Sequence, residues 1–133
     1  MKKLKALLSL SFILISLVSQ AQSNELYIVI NEASWCKYCK ANGERIHELI
    51  DKYALDHKVK VINNDMTNNE TKQKSIPTLK KYGLYNYMQY QKVTAMVFVF
   101  DAKNSEIADK FPIKLENEKI LKHLNETLEL VQG

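Results

Sequence analysis

Hydrophobic patterning in residues 26–63 constrains this chain more than any other feature. Leu26-Tyr27-Ile28-Val29-Ile30 is a short, nearly continuous apolar run, the pattern of a strand buried on both faces. From Cys36 to about Tyr53 the period turns helical: Cys39, Gly43, Ile46, Ile50 and Tyr53 share one stripe, with Leu49 beside it. Lys58 to Asn63 then reads as a second strand. Strand, helix and strand in that order imply a parallel pair joined by a crossover helix, and so an α/β sheet with helical cover.

Both cysteines of the chain, Cys36 and Cys39, lie at the junction between the first strand and the helix. A thiol at a helix start faces unpaired backbone N–H groups and the positive end of the helix dipole, which favour its thiolate. The thiolate is the reactive form, so position alone makes a nucleophile of an ordinary cysteine. With no third cysteine in the sequence, the two pair with each other, with a partner's sulfur, or with a metal.

The N-terminus bears on compartment. Lys2, Lys3 and Lys5 precede an apolar stretch from Leu7 to Val18, and Ser19-Gln20-Ala21 supplies small residues at the positions a signal peptidase inspects. The stretch is about a dozen residues, short of the roughly 20 a spanning helix needs. Residues 1–21 are therefore expected to be a cleaved signal peptide and residues 22–133 one small domain, periplasmic or secreted, with no membrane span after cleavage. Of 19 basic residues three lie in the signal, leaving 16 against 15 acidic ones, a net charge of +1. The isoelectric point near 9.0 is largely a property of the signal, and nothing points to nucleic acid or an anionic membrane as partner.

Further along, Thr67 to Lys74 is polar and reads as loop or weak helix. Ser75-Ile76-Pro77 looks like a helix start, and Leu79 to Tyr82 like a short helix that stops at Gly83. Val93 to Phe100 carries the strongest strand signal, Asp101 to Ser105 supplies turn residues, and Glu106 to Phe111 returns as the second arm of a hairpin. Ile120, Leu121, Leu124, Leu128 and Val131 mark a C-terminal amphipathic helix with Asn117 as its expected cap.

This order, with Trp35-Cys36-Lys37-Tyr38-Cys39 opening the first helix, resembles the thioredoxin-like family over essentially all of residues 22–133. Val97 to Asp101 also resembles the family's penultimate-hairpin segment. The resemblance implies the thioredoxin fold, a central mixed β-sheet flanked by helices. It further implies a monomer that exchanges disulfides with protein thiols and an upstream redox partner, with no cofactor and no metal. It makes Cys36 the exposed attacking sulfur and Cys39 the buried resolving thiol, with Trp35, Lys37 and Tyr38 tuning the couple. The position of the family's cis-proline falls on Ala95, preceded by Thr94. A cis bond before a non-proline residue costs about 2.5–4 kcal/mol, so a trans bond is expected there. The family's buried aspartate falls on Ile30, with Glu32 two residues on as a possible substitute.

Tyr85, Tyr87 and Tyr90, interleaved with Asn86, Gln89 and Gln91, fit a substrate-binding surface as well as they fit core filling. His47, His57 and His123 are too far along the chain from the thiols, or on other elements, to complete a metal site with them. An exported thiol–disulfide oxidoreductase is the leading expectation. The alternatives are a non-catalytic adaptor with a structural disulfide and a metallochaperone.

Overall fold

The computed structural model describes residues 23–133; the expected signal peptide lies outside the described residues. The elements run β1 (Leu26–Glu32), α1 (Lys37–Asp56), β2 (Val59–Asp65), α2 (Asn69–Lys81), α3 (Tyr85–Met88), β3 (Met96–Asp101), β4 (Glu106–Pro112) and α4 (Asn117–Gln132). The strands form one sheet in the order β2-β1-β3-β4, with β1 and β2 parallel and the other two pairs antiparallel. This is the mixed sheet flanked by helices that the resemblance implies.

The central strand explains the layering. Leu26, Ile28 and Ile30 of β1 face one core together with Ile46 and Ile50 of α1, Val97 and Val99 of β3, and Ile120 and Leu124 of α4. Val29 faces the other side, against Leu79 of α2, Leu84, Met88 of α3, and Phe98 and Phe100 of β3. Side chains alternate across a strand, so an unbroken apolar run fills both layers. Among the described residues, no helix is long and apolar enough to cross a membrane.

The structure departs from the sequence expectations at several points: β3 begins at Met96 rather than Val93, and two further differences concern the ends of helices. Of the two readings of the polar stretch after Thr67, loop or weak helix, the helical one holds, but it is continuous with the next segment and forms the first half of α2. Asn68 caps it by accepting the Thr71 N–H at 2.9 Å, while the Thr71 hydroxyl oxygen accepts the Asn68 N–H at 3.1 Å. This reciprocal pair satisfies two otherwise orphaned donors and starts the helix without an apolar stripe. Pro77 therefore lies inside α2. Pro77 and Gln73, whose carbonyl loses its intrahelical partner there, are both exposed, so water can replace that bond. The expected stop holds: Gly83 at φ 73° sends its N–H to Lys80 O, and Leu84 N–H reaches back to Leu79 O.

The second of these differences is Asn117. It is the first residue of α4 rather than its cap, which is Glu116, and no side-chain hydrogen bond caps that end. The Asn117 side-chain Oδ1 instead accepts from Arg45 Nη1 of α1 at 2.6 Å. The same guanidinium donates to Ile113 O at 2.9 Å, joining the two helices of that layer.

Candidate active site

Cys36 is the residue immediately before α1. Its backbone is extended (φ −77°, ψ 117°), and its Sγ turns back over the first helical turn to accept the Cys39 N–H at 3.3 Å. A sulfur thus occupies the capping position that a Ser or Asp oxygen usually takes. Burial opposes ionisation of Cys36. Hydrogen bonds from the Cys39 thiol, the Thr94 hydroxyl and the backbone of Cys39 and Tyr38 outweigh it, and the pKa falls below the usual 9.0. Cys39 goes the other way. Burial first, then the hydrogen bond it makes to Cys36 and the charge there, push its thiol up to about 11. Within one helical turn, one sulfur is prepared to lose its proton and the other to keep it.

One expectation needs correcting. Cys36 is not an exposed sulfur: it is 5% accessible, less open than its mate at 9%, and packs in the same core cluster as Ala33 and Cys39. Its neighbours form the outer surface, with Trp35 61% and Tyr38 54% exposed and Lys37 also open to solvent. On the β3 side, the hydroxyl of the residue before Ala95 approaches Cys36 and favours its thiolate.

Thr94 and Ala95 lie directly ahead of β3 and border the two thiols, Thr94 at Cys36 and Ala95 at Cys39. Among the described residues no peptide bond is cis. The chain makes its turn here differently: Ala95 has φ 60°, the left-handed region, with its N–H on Asn31 O at 2.8 Å and its carbonyl accepting Ile113 N–H at 3.0 Å. For an alanine that conformation costs roughly 1–2 kcal/mol, so the surrounding bonds must hold it.

The base of the site is apolar. Ile30 is 1% exposed in the core cluster that contains Cys39. Glu32 is not a free acceptor either, because its carboxylate pairs with His47 of α1 at 2.8 Å. The loop bearing Trp35 is fastened to the loop after β2. Trp35 Nε1 donates to Thr67 O at 3.0 Å, and Ser34 N–H donates to the Thr67 hydroxyl at 2.9 Å. Thr67 in turn is held by Asp65, whose carboxylate accepts its N–H at 3.0 Å and its hydroxyl at 2.5 Å. Nothing in the sequence marks Thr67 or Asp65 as part of the site.

The three tyrosines separate. Tyr87 packs edge-on against Phe98 and Phe100, with centroids at 6.2 and 5.5 Å, and belongs to the core. Those contacts fit core filling, one of the two readings that its sequence leaves open. Tyr85 lies beneath the Lys80 ammonium at 5.0 Å and lines a cleft of about 220 Å³ between α2 and α3. Tyr90 is 74% exposed. The histidines are occupied elsewhere: His57 stacks on Tyr53 at 4.0 Å and His123 bonds Asp109 at 2.7 Å. Among the described residues, no three His, Cys, Asp or Glu side chains converge as metal ligands.

No family model and no curated protein sequence matches the chain. Its backbone does match solved structures. A thioredoxin of Malassezia sympodialis is 16% identical, with 80% of each chain covered and a TM-score of 0.51. StoA from Bacillus subtilis is 18% identical, covering 78% of this chain and 85% of its own, at 0.51. A thioredoxin-like protein in its oxidized form is 15% identical over 80% of each chain, at 0.52. At these identities the likeness establishes the fold: this chain has the thioredoxin fold, and a Cys-x-x-Cys pair opens its first helix.

Proposed function

We propose that the chain is an exported thiol–disulfide oxidoreductase that exchanges disulfides with protein substrates through Cys36 and Cys39. The observation that carries this reading is the unequal acidity of two thiols on one helical turn, with Cys36 capping the helix. The Cys36 thiolate attacks one sulfur of a substrate disulfide, forming a mixed disulfide and releasing the other substrate sulfur as a thiolate. Cys39 then loses its proton and attacks Cys36. That step forms the Cys36–Cys39 bond and frees the second substrate sulfur. Two electrons and two protons pass from the pair to the substrate, and the reverse sequence oxidises a substrate dithiol. A second dithiol or disulfide partner must reset the pair.

Protein substrates are supported by the rim. Trp35, Tyr38 and Val93, among the most exposed large apolar side chains described, all flank the thiols or the Thr94 segment. Likeness to a thioredoxin and to a protein described in its oxidized form supports redox use of the pair. Export rests on the pattern of residues 1–21. An isoleucine at position 30 and the pairing of Glu32 with His47 imply a slow second step, because neither position offers Cys39 a free carboxylate to take its proton.

One observation favours the adaptor reading with a structural disulfide: the 5% accessibility of Cys36. The two readings separate by trapping. Incubated with a disulfide-bonded protein, a Cys39→Ala variant is expected to accumulate a mixed disulfide through Cys36. No adduct, together with a potential of the wild-type couple far below about −300 mV, establishes a structural bond instead.

A further inference from the structure

Asn31 is a primary amide, 0% exposed, directly after the apolar run of β1. A buried amide is costly unless its hydrogen bonds are met, and here they are met by one segment above all. Its Nδ2 donates to Gln91 O at 3.3 Å and to Val93 O at 3.2 Å. Its own backbone carbonyl accepts the Ala95 N–H at 2.8 Å. Its Oδ1 accepts from Asn64 Nδ2 of β2 at 2.8 Å, a bond that does not involve the Gln91–Ala95 segment. Three anchor points within Gln91 to Ala95 therefore end on a single residue. Between α3 and β3 that segment has no regular secondary structure to hold it in place.

We propose that Asn31 is a positioning residue: it holds the Gln91–Ala95 segment against the helix tip, keeps Thr94 on Cys36 and Ala95 in its left-handed turn beside Cys39, and so sets the reactivity of the pair. The strain at Ala95 makes the clamp necessary, because a free alanine relaxes out of φ 60° and takes Thr94 with it. The Thr94 hydroxyl then no longer supports the Cys36 thiolate, and burial, which opposes ionisation, meets less opposition.

The proposal deepens the oxidoreductase reading, but its test does not depend on turnover. In the reduced full domain, the pH midpoint of Cys36 alkylation, located by mass spectrometry, reads the thiolate directly. Asn31→Ala is expected to raise that midpoint by about one pH unit, a tenfold loss of thiolate below it, as expected when a hydrogen bond to a charged group is lost. Thr94→Val is expected to give a similar shift, and the double variant no more than either alone. Asn64→Ala strands a buried partner too but leaves the segment tied, so it is expected to lose stability with its midpoint in place. An unchanged midpoint in Asn31→Ala, or an equal shift in Asn64→Ala, overturns the clamp. Should Asn31→Ala not fold, Asn31→Ser, which keeps one donor, decides by the same midpoint, with a smaller rise expected and no rise contradicting the proposal. A wild-type chain inert toward protein disulfides counts against the oxidoreductase reading and leaves the midpoint comparison standing.

Discussion

The alkaline stability of the reduced chain depends on Cys39 in a way that can be worked out in advance. Its thiol pKa is about 11 in the folded chain against 9.0 for an unperturbed cysteine. A raised pKa means that the folded state holds the proton more tightly, so the associated stability is present below pH 9 and lost as pH rises through 11. At about pH 10 the unfolded thiol is roughly nine-tenths ionised and the folded one roughly a tenth, a loss of about 1.4 kcal/mol, with about 2.7 kcal/mol lost once both are ionised. Cys36 acts in the opposite sense: its folded pKa lies below 9.0, so its contribution grows as pH rises through the folded pKa and on through 9.0, and both chains below carry it. Urea unfolding of the reduced wild type and of Cys39→Ser between about pH 8 and pH 10 isolates the effect, since lysine and tyrosine titrations are common to both chains. The wild type is expected to lose about 1 to 1.5 kcal/mol more than the variant over that interval. Parallel losses, within about 0.3 kcal/mol, refute the assignment of Cys39 as the proton-holding thiol.

Other substitutions test the frame around the thiols. Ala95→Pro removes the N–H that Asn31 O accepts and forces φ from 60° to about −65°, and is expected to cost about 3 kcal/mol or more by thermal unfolding; a stabilised variant contradicts the trans, left-handed turn. Asn68→Ala, which deletes the cap of α2, is expected to cost about 1 kcal/mol in urea unfolding, while no loss refutes the capping account. Tyr87→Ala is expected to cost about 3 kcal/mol and Tyr90→Ser less than about 0.5 kcal/mol; comparable losses contradict their separation into core and surface. Trp35, the single tryptophan and adjacent to Cys36, is expected to change its fluorescence when the pair is oxidised, and an unchanged spectrum places the ring outside the influence of the couple.

The parts of this fold visible in the sequence are those where burial and local geometry agree. The run at Leu26 to Ile30 locates β1, because both faces of that strand are covered. Its last two residues, Asn31 and Glu32, are polar, yet they continue the ladder against Asn64 and Asp65 of β2. Hydrophobicity therefore ends the strand too early. The first half of α2 escapes because a reciprocal cap, not an apolar stripe, starts it, and Pro77 then looks like a beginning rather than an interior residue. The cysteines and their place at the helix tip are legible because the helix start follows from local period. What approaches Cys36 on the β3 side is not legible: Thr94 comes from 58 residues further along, and the amide that holds its segment reaches Gln91 and Val93 across 60 and 62 positions. Tyrosine spacing likewise does not reveal that Tyr87 points at Phe98 and Phe100 while Tyr90 points at water.

The central claim is that Cys36 is acidic and reactive although it is nearly covered. Alkylation of the reduced wild-type chain as a function of pH tests it most directly. The account predicts that Cys36 is modified first, with a midpoint below 9.0, and that Cys39 follows only toward 11. Modification of both sulfurs together at the midpoint of an ordinary thiol, or a Cys36 that resists the reagent until the chain unfolds, contradicts it.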